Sequence, residues 1–147
     1  MVAAAAKRWL DVIVITDHDT LRGAGLPRAA GESRCALRII VGEERTLADR
    51  SHVIGLFLHE PLFGDTLPVV CEEIAAQEGI CVIPHPYRVI SGALREHGPE
   101  PRKACFEIFN PRCSQEENRG TDRGSPFCHG NLFTWCSNLR QRPLSRP

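Results

Sequence analysis

The sequence predicts an α/β fold, and three observations carry that prediction. Short apolar runs rich in β-branched residues recur at Val12–Ile15, Arg38–Val41, His52–Leu58, Ile80–Ile83 and Cys105–Phe109. Stretches with helical spacing lie between some of them, as at Val70, Ile74 and Ala75. Several runs begin or end at a side chain suited to chemistry, and strand ends are where α/β folds build their sites. Alternation of this kind predicts mainly parallel strands.

Taken in order, Val2 to Leu10 is alanine-rich and reads as a helix leading into the first strand. Leu21 to Arg34 reads as a helix weakened by Gly25 and Pro27. The second strand ends in Gly42-Glu43-Glu44, and the third opens on His52. After the Pro61–Pro68 loop, Val69 to Glu78 is helical and Gly79 stops it as a glycine past the C-cap would. Ile80–Ile83 is followed at once by Pro84-His85-Pro86-Tyr87-Arg88, where two prolines stiffen the loop around the histidine. The fifth strand ends at Asn110. From Ser114 onward no helical or strand period is sustained, and a flexible tail with an apolar patch at Leu132–Trp135 is expected.

A chain of 147 residues can bury the core of one domain. Its 18 basic and 18 acidic residues balance, which excludes a global field for nucleic acid or anionic membrane. A phosphorylated substrate would therefore be held by metal ions and a few local arginines. The cysteines, at 35, 71, 81, 105, 113, 128 and 136, form no C-x-x-C. Cys71 and Cys81 sit in apolar runs, as small hydrophobes do. Reduced thiols in a cytoplasmic protein are the expectation. No apolar run nears the ~20 residues of a membrane span, and the alanine-rich start does not read as a signal peptide.

The chain is organised around DVIVITDHDT, Asp11 to Thr20. Two carboxylates flanking an imidazole beyond a buried strand suit a hard or borderline metal ion. The same residues equally suit a turn that caps the next helix. Recurrence is the informative part: Asp17/His18, Glu44, His52 and His85 all stand at strand edges. One parallel barrel would bring them to a common mouth. His59 and His97, Asp49 and Asp65 read as surface or turn residues.

In their order and approximate spacing, D-V-I-V-I-T-D-H-D-T, G-E-E at 42–44, H-V-I-G-L-F at 52–57, I-P-H-P-Y-R at 83–88 and F-E-I-F-N-P-R-C at 106–113 resemble the PHP superfamily, the polymerase and histidinol phosphatase domain. The resemblance covers about Ala3 to Cys113, and is nearest to stand-alone metal-dependent phosphoesterases. It implies a distorted (β/α)7 barrel holding two or three divalent ions, Mn, Fe or Zn. Carried over by position, His18, Glu44, His52 and His85 match metal ligands, and Asp17 matches a ligand or its neighbour. Glu44 would bridge two ions, Arg88 would contact phosphate, and Asp17, His18 and Glu44 would form the catalytic centre. The reaction implied is hydrolysis of a phosphate ester by a metal-activated water. The substrate would be a phosphorylated small molecule, a nucleotide or a nucleic-acid end.

Family members open on a strand bearing H-x-H and close with S-D-x-H, and neither motif occurs here; His129 is a poor substitute. The expectation is a partial PHP barrel over 1–113 and a divergent, poorly packed tail over 114–147, as a shifted reading frame or natural divergence would produce. Low activity of the isolated chain follows from it. The alternative function is a non-catalytic PHP fragment without the full metal cluster.

Overall fold

The computed structural model describes residues 2–23, 37–92, 104–107, 109–122 and 132–133. Its strands are β1 Val12–His18, β2 Arg38–Thr46, β3 His52–Leu56, β4 Ile80–Ile83, β5 Cys105–Glu107 and β6 Leu132–Phe133. They form one sheet in chain order. The described helices are α1 Val2–Lys7, α2 Leu67–Ala76 and α3 Gln115–Asp122. The architecture is mixed α/β. The reading of 24–34 as a helix, and His97 and His129, lie outside the described residues.

The pairs β1–β2, β4–β5 and β5–β6 are parallel, whereas β3 runs antiparallel to both β2 and β4. This corrects the expectation that parallel strands alone would gather the candidate ligands. His52 opens its strand, so a parallel β3 would carry it to the far end of the sheet. The link between β2 and β3 explains the reversal. It is a tight turn in which the Leu47 amide donates to the Ser51 carbonyl at 2.9 Å. Parallel neighbours need a crossover of about a dozen residues or more.

Two strands are longer than their apolar runs. β1 continues through His18 and β2 through Glu44 to Thr46, with His18 paired to Glu44 and Thr46 to His52. Gly42 to Thr46 is polar and would not read as strand alone. Pairing on both sides holds it in the ladder.

The pleat sorts side chains onto two faces. On one, Val53, Cys81, Ile83 and Phe106 meet Leu67, Val70 and Ile74 of α2 in the core. Ile74 is 1% exposed, and truncating it leaves a void that the sheet cannot collapse into. Ile74→Ala should cost about 2–5 kcal/mol of stability, measurable by denaturant unfolding. A cost under about 1 kcal/mol would mean that α2 does not seal this face.

The end of α2 differs in detail from the glycine stop read in the sequence. Gln77 is the C-cap, and Glu78, at φ 57°, takes the left-handed position. The Glu78 amide donates to the Ala75 carbonyl and the Gly79 amide to that of Ile74, at 3.0 and 2.9 Å. This is a Schellman ending with glutamate in the usual glycine place. Gly79 serves close approach instead, since a Cβ there would lie 2.8 Å from the Leu56 carbonyl oxygen.

Beyond Cys113 the structure has order that periodicity did not show. Ser114 Oγ accepts from the Glu117 amide at 3.2 Å, and Glu117 accepts from the Ser114 amide at 2.7 Å. This capping box starts α3, and S-Q-E-E is its sequence signature. Glu117 also accepts from the Val89 amide at 2.8 Å, and Asn118 from that of Asn110 at 2.8 Å. Residues 115–122 thus form a helix and 132–133 a short strand although the sequence there shows no sustained period. Residues 123–131 and 134–147 lie outside the described set.

Candidate metal centre

The face of the sheet opposite α2 carries the candidate site. At its edge, Thr16 and His18 of β1, Glu44 of β2, His52, Ile54 and Leu56 of β3 and Val82 of β4 line a cavity of about 530 Å³. Alternation places them there, since each is an even-numbered residue on a paired strand. Pro84 and His85 continue the wall beyond β4, with Arg88, Glu107, Asn110 and Arg112 around the rest. The glycine of G-E-E has a steric reason: a Cβ on Gly42 would stand 2.6 Å from the Gly55 carbonyl oxygen.

Four of the candidate ligands converge. His18, Glu44 and His52 each offer a donor atom within 4.8 Å of the others. His52 Nδ1 lies 3.0 Å from Glu44 Oε1, and His18 Nε2 3.6 Å from Glu44 Oε2. His85 Nε2 is 3.6 Å from Glu44 Oε1 and 3.4 Å from His52 Nδ1. Glu44 therefore turns one oxygen to His18 and the other to His52 and His85. Burial pushes its carboxyl up. Hydrogen bonds from His52 and His85 and the nearby His18 outweigh that, bringing it down to about 2.

Asp17 is placed apart from this group. Strand alternation turns it to the opposite face, where its carboxylate lies against Gly23. The two glutamates of G-E-E part in the same way. Glu43 is 1% exposed on the core side, where Oε2 accepts from the Leu62 amide at 3.3 Å. Burial holds its carboxyl above the usual range. Arg45 is committed to structure, donating to the Gly64 and Phe63 carbonyls and pairing with Asp19 at 3.2 Å. Asp19, at φ 54°, also accepts from the Thr46 amide at 2.9 Å, locking the chain just past His18 to β2. Arg88 lines the cavity as read from the motif. His59 is exposed and Asp49 caps a turn through Ser51.

The structure adds residues that the sequence reading passed over. His85 sits at φ 32°, a left-handed backbone that favours glycine. Its amide donates to Glu107 Oε2 at 2.7 Å, and Asn110 Nδ2 braces the same carboxylate at 3.1 Å. Ser91 Oγ lies 3.5 Å from His85 Nδ1, leaving Nε2 toward Glu44. The available signal was a glutamate inside the short apolar strand F-E-I-F, since buried carboxylates need partners. Arg112 is the second arginine on the cavity wall.

Three imidazoles around one carboxylate are a donor set that fits zinc, manganese or iron. The site is thus a candidate metal centre at one end of a mixed α/β sheet. No family model matches the chain. It is 32% identical over 111 residues to an uncharacterized protein of Methanocaldococcus jannaschii, covering 75% of this chain and 64% of that protein. A crystal structure from Bacteroides vulgatus, a two-domain protein containing a predicted PHP-like metal-dependent phosphoesterase, matches with a TM-score of 0.55 at 21% identity. That match covers 73% of this chain and 38% of the other, and it is a likeness of fold. The chain therefore spans less than two thirds of either relative's length. No helix among the described residues is long and apolar enough to cross a membrane.

Proposed function

We propose that this site serves a metal-dependent hydrolase of phosphate esters, within a partial PHP barrel. The observation that carries the reading is the convergence of His18, Glu44, His52 and His85 at the mouth of a cavity that Arg88 and Arg112 also line. His18, Glu44, His52 and His85 would hold the metal. When bound, a divalent metal supplies an ionisable water near neutral pH and positive charge for the phosphate.

The remaining work falls to this chain's own residues. Glu44 stands between His18 and the His52–His85 pair and would offer one oxygen toward each side when metal is held there. Arg88 and Arg112 would orient phosphate oxygens, a geometry in which arginine can bind through two N–H groups. Ile54, Leu56 and Val82 form an apolar floor that keeps water from the buried side. Substrates of this class are small phosphate monoesters, nucleotides or nucleic-acid ends.

The test is metal content of the purified chain and turnover of a generic aryl phosphate with added Mn²⁺. Bound metal with metal-dependent turnover, lost in His52→Ala, is the supporting result. The second reading is a PHP-type module that binds metal without hydrolysis. It is favoured by the placement of Asp17 on the far face, which leaves one carboxylate among the clustered donors of the described residues. Metal without turnover would establish that reading, and absence of both would overturn the site.

A further inference from the structure

Cys71 on α2 and Cys81 on β4 stand away from the metal centre, on the face of the sheet that α2 covers. Their sulfurs are 3.4 Å apart. Cys81 is buried in the core, and Cys71 is half-buried at its edge, where a small oxidant can reach it. A disulfide needs the sulfurs at about 2.05 Å, so roughly 1.4 Å of closure would complete the bond. Side-chain rotation can supply a movement of that size, because the two elements already pack together.

We propose that Cys71 and Cys81 form an oxidisable dithiol, which a hydroperoxide converts to a disulfide tying α2 to β4. Exposure assigns the roles, since Cys71 is half-buried where peroxide can reach it and Cys81 is buried in the core. Contact with Cys81 also lowers the Cys71 thiol, while burial helps to raise that of Cys81. Cys71 is therefore the attacking thiolate, since thiolate rather than thiol is the nucleophile. Its sulfur bonds to one peroxide oxygen, the O–O bond breaks, and the leaving oxygen departs with a proton as water or alcohol. Cys71 is then a sulfenic acid. The Cys81 sulfur attacks it, the S–S bond forms, and the S–O bond breaks. The departing hydroxide takes the Cys81 proton as water. Two thiols are oxidised by two electrons and one peroxide is reduced.

The experiment treats the full chain with hydrogen peroxide, alkylates the remaining thiols and maps the peptides without reduction. Trypsin would leave both cysteines on one peptide, because no lysine or arginine lies between Arg50 and Arg88. A protease that cuts after glutamate separates them, since Glu72, Glu73 and Glu78 lie between. The expected result is a Cys71–Cys81 linked pair, two hydrogens lighter than its parts and separated by dithiothreitol. In Cys81→Ser, Cys71 should instead carry a sulfenic acid that dimedone traps. The proposal is overturned if Cys71 and Cys81 stay separately alkylatable while other cysteines oxidise, or if either links elsewhere. The wild-type map decides the matter even where the variant folds poorly.

Discussion

Glu44→Gln is expected to weaken metal binding by well over the ~10–100-fold that outer-shell partners typically contribute. Among the described residues, Glu44 is the one carboxylate paired with His18, His52 and His85, and a neutral amide removes its charge from the centre. Titration with Zn²⁺ against a competing chelator measures the loss, and wild-type affinity in the variant would sink the assignment. The metal-free chain gives a second readout. The Glu44 carboxyl is lowered from 4.5 to about 2 in the folded state. Its contribution to stability is therefore complete above about 4.5, the unfolded value, and lost as pH falls toward about 2. Glu44→Gln should flatten that part of the acid-unfolding curve. A curve of unchanged slope would show that the carboxylate is not held as described.

Glu107→Ala should lower metal affinity by about 10–100-fold although Glu107 touches none of the other three candidate ligands. It holds the His85 amide at 2.7 Å in a backbone that L residues rarely adopt. Without that acceptor the buried amide is unsatisfied, which costs about 1–3 kcal/mol. The loop then has reason to turn and carry the imidazole away from Glu44. Glu107→Gln keeps an acceptor oxygen and should retain most of the affinity. Equal losses in both variants would point to charge rather than positioning, and no loss in either would remove Glu107 from the site. Cobalt absorption, which reports ligand geometry, distinguishes a displaced His85 from general unfolding.

Much of the site was legible because its residues stand beside apolar runs. His18, Glu44, His52 and His85 could each be picked out as a metal-compatible side chain at the edge of a β-branched segment. Glu107 escaped notice because it lies within such a run, where a carboxylate reads as an exposed strand position. The helix Gln115–Asp122 escaped for a different reason. It is held by its capping box and by Glu117 and Asn118, with no apolar stripe for periodicity to detect.

By itself the sequence determined the five strands from β1 to β5, the α2 helix and the residue types able to hold a metal. Local propensity and hydrophobic period are properties of neighbours along the chain, so they survive without a partner. Only the tertiary structure decided that β3 runs backwards and brings His52 to the end where His18, Glu44 and His85 stand. It also decided that Asp17 and Glu43 leave the face on which His18 and Glu44 remain. Direction and face depend on which strand lies alongside, and a one-residue change of register reverses every side chain.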